Sequence, residues 1–316
     1  MGYQRTNQVR TPMETIRLFT PDESRDNNAP TVSDVLDWYE ANQLKSFSPD
    51  AIKERRRQWD LFRQVNGDKP AEACRPVDLI EFIAGQKGAK AAWTRRRIKS
   101  TICTPFNTAA TVGLLQRNPF AGVKLPKGND GRDWTKEEYQ TILRESPPYF
   151  RRLVVFLRFA GARPGEGRTL TWLEIKDEVE AIVQANHKTA HISPAPRRIH
   201  FNHVLLRLLI WLRRHKQHDI NVFVNKCGRP WTIRALTNHL ALLRKKVCLP
   251  ADVKMHGLRH TFATQALLNG VDIFTLAELL GHKSVKTTER YVHLVNKRSH
   301  LNAAMNKAIG RGSKKD

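Results

Sequence analysis

Acidic residues are in short supply in this chain of 316 residues: 30 Asp and Glu face 54 Lys and Arg, a formal net charge of +24. A compact fold with that excess repels itself unless a polyanion is its usual partner. No basic amphipathic segment with a Trp/Phe/Leu face stands out, so nucleic acid fits better than a membrane surface. Cysteine is also scarce. The four, at 74, 103, 227 and 248, form no Cys-x-x-Cys pair, which argues against a disulfide framework or zinc ribbon and for reduced structural thiols. Long apolar runs are missing: the longest uncharged stretch, 100–116, holds Ser, four Thr, Asn and Pro, too many polar groups for lipid. The opening MGYQRTNQVR has no apolar segment of the secretory kind. A cytoplasmic, nucleoid-associated protein is expected. The chain has no clustered Asp/Glu set such as a two-metal nuclease needs, and His187, His191, His200 and His203 are loosely spaced, so neither metal nor cofactor is expected. Internal repeats are absent. The hydrophobic fraction of 40% is that of ordinary soluble domains, and the length suggests about two of them.

What is present is mostly helical patterning. Residues 1–30 are polar and read as a flexible arm. Thr31 or Ser33 can cap a helix bearing Val32, Val35, Leu36 and Tyr39. Ser48-Pro49 opens a second with Ile52, Trp59, Leu61 and Phe62. Pro76 starts a third, and a fourth begins near Ala91 with Ile98 and Ile102. Pro105 breaks or kinks it, with Val112, Leu114 and Leu115 continuing its apolar face. This block, 31–122, lacks any strand signal and reads as a small helical bundle. Pro126, Gly128, Asn129, Asp130 and Gly131 punctuate a linker at 123–132. A second domain, 133–310, opens on the capping-box pattern Thr135 to Glu138. It mixes helices, at 232–246, 258–269 and 273–280 among others, with short strand-like runs at 170–175, 179–183 and 198–201. Residues 311–316 form a polar tail.

Chemistry concentrates in that second domain. In Gly161-Ala162-Arg163-Pro164-Gly165-Glu166, Arg163 precedes a proline and so sits at a helix junction, with Glu166 one turn on to orient it. In His256-Gly257-Leu258-Arg259-His260, positions 256 and 259 share a helix face. Gly281-His282 follows a helix end, and Tyr291 lies nine residues beyond His282. Each element alone has a bland structural reading. Their joint order does not arise easily by accident.

These motifs, GARPGE, HKT around Lys188, HGLRHTFAT, LLGHKS and TTERYVHL, resemble those of tyrosine recombinases of the phage integrase family, Xer-type enzymes in particular. The resemblance implies a mainly α fold: an N-terminal helical, SAM-like core-binding domain followed by a mixed α+β catalytic domain with a small three-stranded antiparallel sheet. It implies a site-specific recombinase that cuts and rejoins DNA through a 3′-phosphotyrosine, without metal or ATP. Tyr291 would be the nucleophile. Arg163 and Arg259 would be forked clamps on the phosphate, and Lys188 the acid for the leaving oxygen, with Lys176 its competitor. His256 would assist proton transfer from Tyr291, His282 would bond the phosphate, and Glu166 would orient Arg163. A catalytically silent DNA-binding regulator and a type IB topoisomerase-like enzyme stay as alternatives. Gly167, Arg168 and the two-proline loop 192–196 depart from the family pattern.

Outside the site, Arg55, Arg56 and Arg57 on the second helix and Arg95, Arg96, Arg97 and Lys99 on the fourth suit phosphate contacts to double-stranded DNA. The family likeness further implies a C-shaped grip by the two domains. It also implies a homo-tetramer on two DNA sites, with a C-terminal helix at 297–309 exchanged between protomers, and accessory proteins as possible partners.

Overall fold

The computed structural model describes residues 29–44, 47–126, 128, 131–185, 196–295 and 305. The Lys188 segment, most of the N-terminal arm, and the 297–309 helix apart from Met305 lie outside these. The chain divides into two compact units, Met1–Asn129 and Asp130–Asp316.

Among the described residues, four α-helices build the first unit: α1 (Val32–Gln43), α2 (Pro49–Asn66), α3 (Pro76–Gly85) and α4 (Ala92–Thr111). Thr31 caps α1 by accepting the Asp34 N–H, and the Asp34 carboxylate answers by accepting the Thr31 N–H. The apolar stripes meet in an aromatic core in which Phe106, Phe120, Phe62 and Phe82 pack edge to face at 4.8–5.8 Å. One expectation needs correcting: α4 runs through Pro105 and ends at Thr111, so Val112, Leu114 and Leu115 lie beyond it. A proline inside a helix orphans the carbonyl four residues back. Here that carbonyl, of Thr101, accepts the buried Trp59 indole N–H at 3.0 Å, and a tertiary donor replaces the missing one.

The second unit is α+β. Its helices are α5 (Lys136–Glu145), α6 (Pro148–Ala160), α7 (Pro164–Thr169), α8 (His203–Arg214), α9 (Ile233–Lys246), α10 (Gly257–Leu268), α11 (Ile273–Leu280) and α12 (Glu289–Val295). Strands β1 (Ile175–Lys176), β2 (Ala181–Gln184) and β3 (Arg197–His200) form an antiparallel sheet in the order β1-β2-β3, with Ile175 and Ile199 both opposite Ile182. The strand expected over 170–175 shrinks to its last residue plus Lys176. Trp172–Glu174 is a 3-10 turn because the Glu174 carboxylate accepts the Thr171 N–H at 2.8 Å, and helical capping outcompetes pairing there. The core gathers Phe150, Leu153, Phe156 and Leu157 of α6 with Ile182, Leu205, Leu236 and Leu258. A second cluster, Ala263, Leu267, Leu276 and Leu280, packs around Tyr291. Gly167 touches the first of these cores: a Cβ there would lie 2.7 Å from Leu157, so the small residue lets α7 close on α6. Among the described residues, no helix is long and apolar enough to cross a membrane.

Candidate active site

α6 ends at Gly161, whose left-handed backbone (φ 58°) suits glycine. The chain then reverses through Arg163, extended as a residue before proline must be, and Pro164 starts α7. Glu166, in the first turn, is buried and accepts two hydrogen bonds from one residue: the Arg163 backbone N–H at 2.8 Å and Nη1 at 2.6 Å. Burial acts to raise the carboxyl's pKa. Arg163, through both hydrogen bonds and its charge, and Arg197 more than offset this and hold it below the usual value.

The first turn of α10 supplies the next groups. Arg259 is 1% exposed. Its Nη1 donates to the Gly161 carbonyl at 2.8 Å, and its Nη2 to the Leu280 carbonyl at 2.6 Å and to His282 Nε2 at 2.9 Å. Burial first, then the charge of Arg163, pushes its pKa down to about 9, so it stays a cation at neutral pH. A guanidinium only donates, so His282 accepts at Nε2 and carries its proton at Nδ1, which donates to the Thr288 hydroxyl at 2.7 Å. Burial, followed by Arg259, Arg163 and Arg197, pushes His282 down to about 4, and the ring is neutral. The buried Thr288 joins His282 to Tyr291, since its carbonyl also accepts the Tyr291 N–H at 2.9 Å.

Tyr291 lies on α12, 3% exposed. Burial raises its phenol's pKa, while Arg259 and Arg290 pull the other way. Sequence reasoning assigned His256 to this hydroxyl. The ring that meets it is that of His260, with Nδ1 2.9 Å from the hydroxyl oxygen. His256 is exposed at the start of α10 and packs edge-on against His260, ring centroids 4.9 Å apart. The spacing of four between the two histidines puts them on one face of α10, a signal that was available in HGLRH.

Arg197 was also missed. It is buried on β3 and donates from Nη2 to the Leu279 carbonyl at 2.6 Å. A Cβ on Gly281, which ends α11 with φ 63°, would lie 2.6 Å from the Arg197 Cδ. Arg197 therefore ties the sheet to the turn that carries His282. Burial pushes its pKa down to about 10. Thus Arg163, Arg197 and Arg259 act on one another electrostatically around Glu166 and His282.

In the first unit, the two basic runs meet at one carboxylate. Glu54 binds Arg57 at 3.0 Å and Arg97 at 2.7 Å. Its pKa falls to about 2, chiefly through the Arg57 hydrogen bond. Arg56 pairs with Glu40, Arg55 lies over the Phe47 ring at 4.1 Å, and Arg95 donates to the Ala89 carbonyl at 2.6 Å. Arg56, Arg57, Arg95 and Arg96 are exposed, while Arg55, Arg97 and Lys99 are half-buried. Among the described residues, no group of three or more His, Cys, Asp or Glu side chains could hold a metal ion.

Comparison with known proteins gives the family and the fold. The model of the phage integrase family matches residues 132–298. The chain is 42% identical over 254 residues to tyrosine recombinase XerC of Lactobacillus leichmannii, covering 74% of this chain and 83% of that protein. It is 28% identical over 256 residues to XerC of Bacillus subtilis (strain 168), covering 75% and 82%. In fold it is similar to the Tn1549 transposon integrase solved with circular intermediate DNA, with a TM-score of 0.69, 18% identity, and 88% and 99% of the two chains covered. A lambda integrase tetramer bound to a Holliday junction gives a TM-score of 0.66 at 20% identity, covering 84% and 78%. The family model and the 42% identical XerC show that the chain belongs to the phage integrase family of tyrosine-type site-specific recombinase enzymes.

Proposed function

We propose that this chain cuts and reseals double-stranded DNA at specific sites through a 3′-phosphotyrosine, with Tyr291 as nucleophile and with neither metal nor ATP. The observation that carries this reading is that Tyr291, the Arg163–Glu166 pair, and Arg259 with His282 lie within electrostatic reach of one another. As the phenolic oxygen attacks phosphorus, charge grows on the non-bridging oxygens, and forked guanidiniums stabilise it best there. Phosphate oxygens would replace the Leu280 carbonyl and His282 as acceptors for Arg259. His282 now accepts at Nε2, so donating to phosphate takes either protonation, which the incoming anion favours, or a tautomer shift in which the Thr288 hydroxyl turns to donate to Nδ1. Lys188 protonates the leaving 5′-oxygen, since arginine is too weak an acid for that task.

The helical unit serves as the core-binding domain. Its exposed arginines add phosphate contacts that position without reading sequence. Four copies act on two synapsed sites and exchange the 297–309 helix between neighbours. The lambda integrase tetramer on a Holliday junction lends this assembly support by likeness of fold.

The test is covalent capture. The full-length protein is mixed with a library of nicked duplexes, and protein-linked DNA is recovered. Capture of one common site, unaffected by chelator, is the expected result. Tight binding without capture would mark a regulator, and relaxation of plasmids regardless of sequence would mark a type IB topoisomerase-like enzyme.

A further inference from the structure

A phenol titrates near pH 10 in water, and burial lifts Tyr291 further. Attack on phosphorus at neutral pH therefore needs a proton acceptor within hydrogen-bond reach of the hydroxyl. The buried His260 has one, with Nδ1 2.9 Å from the Tyr291 oxygen and the two rings 5.5 Å apart. Its other nitrogen faces Gly131, where a Cβ would come within 3.0 Å of Nε2. The segment leading into α5 thus limits how far the ring can swing away.

We infer that His260 is the general base for Tyr291, a role that rests on the strand-cleavage reading above. In the forward step the phenolic O–H bond breaks and its proton passes to Nδ1. The tyrosine oxygen bonds phosphorus, and the P–O5′ bond breaks as the leaving oxygen takes a proton from the acid. In the reverse step the 5′-hydroxyl attacks phosphorus and returns its proton to the group that supplied it, the phosphorus–tyrosine oxygen bond breaks, and the tyrosine oxygen regains its proton from the imidazolium. That imidazolium forms close to the N-terminal end of α10, where the helix dipole disfavours a cation. The site therefore favours returning the proton, as an enzyme that must reseal requires. The charged and titratable groups that act on the pair are His256 and Arg259 on α10, Arg290 on α12, Asp133 ahead of α5 and Arg163 before α7. His256 is the one other imidazole among them and is the natural control.

The experiment measures covalent-adduct formation by the full-length protein on a captured nicked duplex, from about pH 5 to 9. In His260→Asn the amide oxygen can still accept the phenol's hydrogen bond but cannot take its proton. Its adduct rate should fall about a hundredfold, the lower end of what a general base supplies. The acid limb of the pH profile should vanish while DNA affinity and melting temperature stay near wild type. His256→Asn should keep the limb. A His260→Asn rate within a few-fold of wild type with the limb intact, or loss of the limb in His256→Asn instead, overturns the assignment alone. A wild-type protein that forms no adduct on any duplex overturns the cleavage reading and this role with it.

Discussion

Arginine sits in two different environments in the two units. In the helical unit, Arg56, Arg57, Arg95 and Arg96 stand in solvent, and Arg57 shares the partly exposed Glu54 with Arg97. In the α+β unit, Arg197 and Arg259 are buried, held by backbone carbonyls of Gly161, Leu279 and Leu280. Water screens the first set, so each pair contributes about 0.2–1 kcal/mol and each cation is replaceable. Desolvation raises the stakes for the second set, because any acceptor left behind is buried and unpaired. Fixed geometry in a dry pocket is what transition-state stabilisation demands, whereas solvated cations suit a backbone grip that tolerates shifts in register.

The sharpest break in this contrast should come from Arg259→Lys. The charge survives, but one ammonium cannot reproduce the forked donors to Gly161, Leu280 and His282. Adduct formation should drop about a hundredfold or more, while DNA affinity in a gel-shift assay changes little. An equal fall in affinity would place Arg259 in the grip rather than in the chemistry.

Glu166 gives a smaller effect with a defined sign. Its folded pKa lies below its unfolded value, so its contribution to stability is present above the unfolded value, near pH 4.5, and is lost as pH falls through the folded one. Wild-type stability in denaturant should therefore drop on acidification below about pH 4.5, and Glu166→Gln should flatten that part of the curve. Parallel curves would show that the carboxylate is not what Arg163 relies on.

The smallest effect belongs to the solvated set. Arg96→Ala should weaken DNA binding a few-fold and lower the salt slope by about 0.9 if it touches one phosphate. The adduct rate at saturating protein should be unchanged. A lost adduct rate with normal affinity would erase the distinction between the two units.

How legible these features were in the sequence follows the range of the forces involved. Local rules placed the Thr135–Glu138 cap, and they read Arg163 as a junction residue because Pro164 restricts it and Glu166 is one turn away. His260 is legible only in part: helical spacing puts it on one face with His256, and only the packing of α12 against α10 selects the ring that meets the phenol. Arg197 was lost to a one-residue error, since a strand begun at 198 leaves it in a loop. In the structure β3 begins at Arg197, and alternation buries it beside Ile199 while Arg198 and His200 face out. Pro105 misled because the donor that replaces its missing N–H comes from Trp59, far away in sequence.

The central claim is that a DNA strand becomes esterified to one phenol inside a buried cluster of guanidiniums. Digesting the captured adduct with protease and nuclease and sequencing the modified peptide by mass spectrometry tests it most directly. A nucleotide mass on Tyr291, abolished in Tyr291→Phe with DNA binding preserved, is the predicted result. A nucleotide on any other residue, or an adduct that persists in Tyr291→Phe, would contradict it.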